Sequence, residues 1–401
     1  MSHARHITLP KGFLAAGVAC GIKPSGKKDL AVIAAEADCS VAFVTTSNQI
    51  TGAPIQYVRR TWPGGCGKAR GIVINAGVSN VCTGAAGLRD ATTMAKLAAR
   101  NLGAAGGKFL VASTGVIGRP LPMAKIRRGI AAACRALSAR HDADALEAIM
   151  TTDTRPKSAV VMTTLDRKRV TVAGMVKGAG MIAPSLATMI GVITTDAAVP
   201  PATLHRAIKA CVHDTFNAVT VDSDQSTSDI VAVFASGRAG NAPLRAGSRA
   251  YAKFTAALHE VCAELARAVA ADGEGATRLI EVVVTGAKTP RDAEAAAKSV
   301  ANSPLVKTAV HGADPNWGRI AMALGKSTAK ISAETLTIHI AGQKVFTRGK
   351  GCPFNEKSLS RRLREPTVTI HCSLGAGKAA FTALTCDLSK DYITINADYT
   401  T

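Results

Sequence analysis

The sequence predicts a mixed α/β fold with a large share of sheet. Short runs rich in β-branched apolar residues alternate along the chain with longer segments whose apolar residues recur at helical spacing. Polar stretches rich in glycine and proline separate these segments, and no internal repeat is present. With 401 residues and a hydrophobic content of 47%, the chain is long enough to form more than one core. These features favour the α/β class but do not order the strands.

The first half of the chain begins with an apolar segment at residues 12–22, which we expect to form a buried strand. Its internal glycines and the lack of a convincing cleavage site argue against a signal peptide. Further strands are predicted at residues 30–35, 41–46, 71–75, 108–113, 159–164 and 169–175. Helices are predicted at residues 88–102 and 122–139, and residues 150–157 are expected to form a loop.

The second half begins with a predicted strand at residues 188–195. The longest predicted helix, 251–270, carries Phe254, Leu258, Val261 and Leu265 at helical spacing, which indicates a face packed on the core. The other predicted helices are 202–212 and 291–301, and the predicted loops are 221–229 and 314–319. The other predicted strands are 279–285, 335–340, 367–371 and 391–397.

The chain is strongly basic, with 49 lysines and arginines against 28 acidic residues and a net charge of +21. Such a charge invites a nucleic-acid-binding interpretation. However, the basic residues are dispersed in small groups, and aromatic residues make up only 4% of the chain, which is few for stacking on bases. A basic surface that attracts small carboxylate substrates is compatible with the same charge.

The cysteines and histidines predict no metal site. Ten cysteines are scattered along the chain without a Cys-x-x-Cys pair or zinc-ligand spacing, and the nine histidines form no His-Glu-x-x-His motif. Reduced, buried cysteines are typical of a cytoplasmic protein. No segment reaches the apolar length of a membrane span.

A threonine in the middle of the chain, Thr188, lies where a predicted loop meets a predicted strand. Gly178, Gly180 and Pro184 disfavour regular structure before it. A threonine hydroxyl is a weak nucleophile without a base beside it, and one solution is the threonine's own α-amino group, freed by cleavage of the preceding peptide bond. The small Ala187 leaves room for such a cut, although most threonines at such a junction have only a structural role.

The segment Lys177-Gly-Ala-Gly-Met-Ile, followed by Ala187-Thr-Met, resembles the cleavage-site motif of the ornithine acetyltransferase family, also called glutamate N-acetyltransferase. The family has a serine where this chain has Ala179. Similar blocks run from Gly12-Phe-Leu-Ala-Ala-Gly-Val to the final Asn396-Ala-Asp-Tyr-Thr-Thr, so the resemblance covers essentially the whole chain.

This resemblance implies a fold and an activity. The catalytic half is expected to have sheets sandwiched between helix layers, followed by a smaller C-terminal α/β domain from about residue 280. The implied reaction moves the acetyl group of N-acetylornithine to glutamate by a ping-pong route on Thr188, after cleavage between Ala187 and Thr188. The implied α chain, 1–187, and β chain, 188–401, form a heterotetramer of two of each. No organic cofactor is needed, and the use of acetyl-CoA as a first donor stays open.

The resemblance also assigns roles to individual residues. Ser113-Thr114-Gly115 follows a predicted strand and by itself is a common turn, but it matches the family's oxyanion-hole motif at Thr114 and Gly115. An isolated lysine is usually solvated, and Glu274 could simply cap the next element of secondary structure. The resemblance instead assigns Lys177 to a substrate carboxylate and Glu274 to a substrate amino group. The other residues implied to contact substrate are Thr151, favoured over Thr152, and Asn396, Thr401 and Thr188 itself.

An acidic loop at residues 222–229 resembles the family's Asp-Gly-Asp-Thr-Ser-Thr-Asn-Asp but departs from it at Ser223, Gln225 and Ser228. Its alternating carboxylates suggest a calcium loop, yet the bidentate glutamate that such a loop requires is absent at the necessary spacing. We expect the loop to lie near the site, without a defined role. The segment Asp314-Pro-Asn-Trp-Gly-Arg is a family marker whose proline and glycine are expected to fix a turn.

Two alternatives stay open at this point. An amidase or aminopeptidase with the same self-generated N-terminal threonine would use water in place of glutamate. A basic nucleic-acid-binding protein without catalysis would keep an intact chain and would not depend on Thr188.

Overall fold

The computed structural model describes residues 6–104, 108–183 and 189–398. Its strands are β1 (Phe13–Val18), β2 (Leu30–Thr45), β3 (Cys66–Val78), β4 (Phe109–Val116), β5 (Lys157–Leu165), β6 (Lys168–Lys177), β7 (Ile190–Thr195), β8 (Ile230–Ala235), β9 (Leu279–Ala287), β10 (Thr337–Ile340), β11 (Gln343–Thr347), β12 (Lys350–Gly351), β13 (Thr367–Ser373) and β14 (Ala379–Cys386). Its α-helices are α1 (Ala53–Thr61), α2 (Gly84–Asn101), α3 (Met123–Arg135), α4 (Asp142–Ile149), α5 (Pro201–His213), α6 (Arg249–Ala271), α7 (Pro290–Ala301), α8 (Pro304–His311), α9 (Trp317–Gly325), α10 (Glu356–Arg362) and α11 (Lys390–Asp398).

The first sheet is built around the long strand β2. The strand order is β4-β3-β2-β8-β7-β6-β5, and β1 pairs with β2 off this path. The register of β2 with β3 shifts between Ala34 and Cys39. Before this bulge β2 pairs with β1, and after it β2 pairs with β8. Since a bulge bends a strand, β2 contributes to two layers of the sheet.

The core residues confirm a four-layer arrangement of helix, sheet, sheet and helix. Ile33 of β2 and Ile190 of β7 belong to one buried cluster that lies between the two layers of the sheet. On the opposite face of β2, Val32 lies in a cluster with residues of α2 and α3. On the opposite face of β7, Ile193 lies in a cluster with residues of α5 and α6. The strands therefore bury both faces, as their nearly unbroken apolar sequences require.

A second sheet takes its strands from the later part of the chain, in the order β12-β11-β10-β13-β9-β14. Its core cluster includes residues of β9, α7 and α9. It joins the first layers through a bridge between Val219 and Leu384 and through the buried Lys307, whose Nζ donates to Val221 O at 2.6 Å. This sheet corresponds to the smaller C-terminal unit that the family resemblance implies, while the boundary at about residue 280 stays a prediction.

Most predicted elements are present, but three predictions need correction. The strands predicted at 30–35 and 41–46 are the single bent strand β2. The predicted loop 314–319 is only partly a loop, because the Asn316 side chain accepts a hydrogen bond from Arg319 N and caps α9. The predicted strand 391–397 is wrong, since these residues form the helix α11. The Ser389 hydroxyl accepts a hydrogen bond from Asp391 N at the start of that helix.

Within the described ranges, no helix combines the length and apolar character needed to cross a membrane. All ten cysteines are free thiols, and six of them are buried.

Candidate active site

A cavity of about 410 Å³ lies where the ends of β4 and β6 meet the acidic loop and the helix α11. It brings together sequence-predicted site residues from five separate segments, namely Thr114, Gly115, Thr151, Thr152, Lys177, Glu274 and Asn396. The rest of its lining is Ser79, Ile117, Gly180, Met181, Asp222, Asp224, Gln225, Ser226, Thr227, Ser228 and Tyr392. Ala187, Thr188 and Thr401 lie outside the described residues.

Gly115 lies at the end of β4 in a conformation that only glycine adopts easily. Its φ is +120°, and a Cβ at this position would lie 2.4 Å from the carbonyl carbon of Gly77. The two glycines are paired in the parallel register of β3 and β4. Two residues earlier in β4, Ser113 Oγ donates to Asn75 Oδ1 at 2.6 Å. Close backbone approach and this hydrogen bond therefore fix the Thr114-Gly115 segment at the cavity wall.

Thr114 and Lys177 are joined across the cavity. Lys177 is the last residue of β6, its side chain is buried, and its Nζ donates to Thr114 Oγ1 at 3.2 Å. The threonine oxygen accepts this bond, and no other partner of the hydroxyl exists among the described residues, so its own proton can donate to a bound ligand. Burial lowers the pKa of Lys177, and the negative charge of Asp153 opposes that change.

Glu274 forms a second charged point of the cavity. It is 6% exposed, its Oε2 accepts a hydrogen bond from Asn396 Nδ2 at 2.8 Å, and its backbone N–H donates to Ala179 O at 2.8 Å. A Cβ on Gly180 would lie 2.3 Å from Glu274 Oε2, so any larger residue there would displace the carboxylate. The helix α11 and the loop after β6 thus hold the carboxylate in place.

Asp222 is a site residue to which the sequence analysis gave no role. Its Oδ2 accepts from Met181 N at 2.5 Å and its Oδ1 accepts from Ile182 N at 2.8 Å. Burial raises the pKa of Asp222, although these N–H donors oppose the rise. The carboxylate therefore anchors the loop that leads toward the expected cleavage site. Its partners lie 41 and 40 residues earlier in the chain, so no local sequence pattern indicates this contact.

The departures from the family motifs have clear structural settings. Ala179 is 1% exposed and keeps its backbone contact with Glu274, so the missing serine removes only a hydroxyl group. Ser223, which replaces a glycine of the family's acidic loop, has a φ of +70°. Ser228 Oγ lies 3.0 Å from Ser79 Oγ. Within the part of the chain that the structure describes, no group of three or more His, Cys, Asp or Glu residues could hold a metal ion.

Comparisons with known proteins agree on one family. The ArgJ family model matches residues 14–401. The "Arginine biosynthesis bifunctional protein ArgJ" of Symbiobacterium thermophilum is 46% identical over 398 residues, which is 98% of each chain. The protein of the same name from Caldanaerobacter subterraneus subsp. tengcongensis is 44% identical over 400 residues, again 98% of each chain. A crystal structure of the Bacillus halodurans protein of that name is 42% identical, has a TM-score of 0.50, and covers 51% of this chain and 97% of its own.

Proposed function

The chain belongs to the ArgJ family, and from this premise we propose that it is an acetyltransferase of arginine biosynthesis. In this proposal it transfers the acetyl group of N-acetylornithine to glutamate, and Thr188 carries the group between the two. The match to the family model and the names of the relatives support the role in arginine biosynthesis.

The observation that carries the proposal is that Thr114, Gly115, Lys177 and Glu274, which the resemblance assigns to oxyanion stabilisation and substrate binding, all line one cavity. The start of β7 supports Thr188 as the nucleophile. Its first residue, Ile190, lies two residues after Thr188 and pairs with Lys177 of β6. The chain that follows the proposed nucleophile therefore joins the sheet directly beside the substrate-binding lysine.

The proposed reaction has two acyl transfers. The Thr188 hydroxyl attacks the acetyl carbonyl of N-acetylornithine, and the free α-amino group of Thr188 takes the hydroxyl proton. The Thr114 hydroxyl and the Gly115 N–H donate to the oxyanion that forms. The C–N bond breaks, and ornithine leaves as its amine takes the proton. The amine of glutamate then attacks the acetyl ester, the ester C–O bond breaks, and the Thr188 hydroxyl regains a proton.

The remaining residues bind the substrates. Lys177 pairs with a substrate carboxylate, because among the described residues only Thr114 takes one of the three N–H donors of its ammonium group. Glu274, held by Asn396, pairs with a substrate amino group. Thr151 and the terminal Thr401 complete the proposed contacts with substrate.

We also propose that the chain is cleaved into fragments 1–187 and 188–401, which pair into a heterotetramer of two of each in the cytoplasm. The matched Bacillus halodurans chain supports cleavage, because it is about half as long as this one, as one fragment of a divided chain would be. The proposed chemistry requires no organic cofactor, since the nucleophile, the base and the oxyanion donors are all groups of the protein.

Substitution of the nucleophile tests the proposal. We expect Thr188→Ala to give an uncut chain that forms no N-acetylglutamate from N-acetylornithine and glutamate. Thr188→Ser keeps a hydroxyl and is expected to retain cleavage and measurable transfer. Full transfer activity of an uncut Thr188→Ala chain would place the chemistry elsewhere. If Thr188→Ala and Thr188→Ser lose transfer activity equally, a hydroxyl at residue 188 is not sufficient for acetyl transfer.

The relatives are named bifunctional proteins, which fits a second activity. We propose that this activity uses acetyl-CoA, the first donor that the resemblance leaves open. The same Thr188 would accept the acetyl group from the thioester and release the free thiol. An assay with acetyl-CoA and glutamate alone tests this, and acetyl release without any need for glutamate would instead favour the hydrolytic alternative.

A further inference from the structure

A buried carboxylate, Asp153, lies behind the cavity wall and joins three segments of the site. Its side chain is 0% exposed. Its Oδ2 accepts from Thr151 N at 3.0 Å, and its Oδ1 accepts from Lys157 Nζ at 2.6 Å and from Gly178 N at 2.7 Å. Two of these donors belong to Thr151 and to the peptide that follows Lys177. Thr151 and Lys177 both line the cavity.

We propose that Asp153 is a positioning residue that fixes Thr151 and the end of β6 and supplies the countercharge for the Lys177 ammonium group. This inference rests on the proposed function only where it assigns Lys177 to a substrate carboxylate. The bonds to Thr151 and Gly178 set the distance between two cavity-lining residues that no direct hydrogen bond joins in the described part of the chain.

Lys177 needs a countercharge because its side chain is buried. Desolvation lowers its pKa, and of the surrounding charges Asp153 has the largest influence, in the opposite direction. The other charged groups that face it are Lys157 of β5, Asp229 before β8, Glu274 after α6 and Lys23 after β1. Burial would raise the pKa of Asp153, but Lys177, Lys157 and the Gly178 N–H outweigh it and lower that pKa to about 2. Asp153 is therefore ionised at every pH at which the protein would be assayed.

A second carboxylate gives a matched control. Asp272 Oδ2 lies 2.5 Å from the same Lys157 Nζ, and the Asp272 side chain is 3% exposed. Asp272 instead holds Thr154, through the backbone N–H at 3.2 Å and through the hydroxyl. Among the described residues, it bonds neither Thr151 nor Gly178. Asp153→Asn and Asp272→Asn thus disturb the same buried lysine, and only the first removes the charge next to Lys177.

The test measures the reactivity of Lys177 in the full-length protein. Only a neutral amine reacts with formaldehyde and dimethylamine–borane, so the rate of reductive methylation at a fixed pH of about 8 reports the neutral fraction. Peptide mass spectrometry then gives the rate at Lys177. We expect Asp153→Asn to methylate about tenfold faster at Lys177 than the parent protein, which corresponds to a pKa lower by about one unit. Asp272→Asn is expected to be methylated at Lys177 at the parent rate. Equal rates in all three proteins would overturn the proposal, and so would an equal increase of the rate in both variants.

A second variant keeps the test decisive if Asp153→Asn does not fold. The double variant Asp153→Asn/Lys157→Met does not leave Lys157 unpaired. Because Lys157 itself lowers the pKa of Lys177, the reference is Lys157→Met alone. We expect the double variant to methylate about tenfold faster at Lys177 than this reference, and equal rates would overturn the countercharge. Methylation requires no turnover, which separates this test from the proposed function. If the variants are methylated at Lys177 at equal rates but the parent protein transfers acetyl groups, only the proposed role of Asp153 is refuted. If the methylation rates at Lys177 differ as expected but the parent protein transfers no acetyl group, only the proposed function is refuted.

Discussion

Lys177 Nζ donates a hydrogen bond to Thr114 Oγ1 at 3.2 Å. One bond thus links the residue proposed to hold the substrate carboxylate with the residue proposed to stabilise the oxyanion. The lysine also orients the threonine hydroxyl, because an oxygen that accepts a bond from an ammonium group directs its own proton elsewhere. Binding and transition-state stabilisation are therefore expected to respond together to changes at either residue.

Removal of the Thr114 hydroxyl tests the oxyanion role. Thr114→Ala is expected to lower kcat about 100- to 1,000-fold, the usual effect of losing one oxyanion-hole donor. Thr114→Ser keeps the hydroxyl and is expected to retain most of the activity. Steady-state kinetics with N-acetylornithine and glutamate measure both. A change confined to KM in Thr114→Ala would contradict the assignment, because a transition-state donor acts on kcat.

The pH dependence of substrate binding tests Lys177. Since burial lowers its pKa, the ammonium charge is lost as pH rises through a value below that of a free lysine. We therefore expect KM for N-acetylornithine to rise on the alkaline side. Lys177→Arg stays protonated far above this range and is expected to move the alkaline rise to higher pH, even if the longer side chain weakens binding overall. If KM rises over the same alkaline pH range in both proteins, Lys177 is not the group that titrates.

The contact between Gly180 and Glu274 tests how the carboxylate is held. A methyl group on Gly180 would lie 2.3 Å from Glu274 Oε2, so Gly180→Ala is expected to displace the carboxylate and raise KM about tenfold or more. That factor corresponds to losing one hydrogen bond to a charged group. Gly64→Ala is the control, because a Cβ there has no atom within 4 Å. Similar KM values in both variants would show that Glu274 is not held against Gly180.

Replacement of Ser223 by glycine tests whether the serine, at a position where the family's acidic loop has glycine, strains the backbone. Its φ of +70° is a conformation that glycine adopts freely and serine does not. Ser223→Gly relieves about 1–2 kcal/mol of strain and costs about 0.5–1 kcal/mol of chain entropy. We expect a net gain of roughly 0.5–1 kcal/mol in the free energy of unfolding, measured by denaturant titration. Ser226→Gly, at a residue without positive φ, is expected to lower that free energy, and a loss of similar size in Ser223→Gly would contradict the strain.

The strand pattern predicts that Thr114 and Lys177 lie near strand ends, while their roles come from the family resemblance. Thr114 lies in the last part of β4 and Lys177 at the end of β6, close to where the predicted strands stop. Asp153 and Asp222 could not be predicted in the same way, because the residues that they bond in the loop after β6 lie 25 to 41 residues away, and these contacts exist only when loops meet in the fold. Long-range hydrogen bonds of this kind leave no periodic signal in a sequence.

The fold shows the same limit at the C-terminal end. Residues 391–397 contain β-branched residues typical of a strand, yet they form α11, and none of the helix residues is buried. Ile393 is 68% exposed, so burial does not determine the structure here. The Ser389 cap and the bond from Asn396 to Glu274 favour the helix. Capping and a tertiary contact thus override the intrinsic strand preference.

The central claim is that Thr188 becomes an N-terminus and then carries the acetyl group. The most direct test is the intact mass of the purified full-length protein under denaturing conditions, with N-terminal sequencing, before and after incubation with N-acetylornithine. We predict two fragments, and the one that begins Thr188-Met-Ile-Gly should gain a single acetyl group that disappears when glutamate is added. A single uncut chain that still transfers acetyl groups would contradict the claim and move the chemistry away from Thr188.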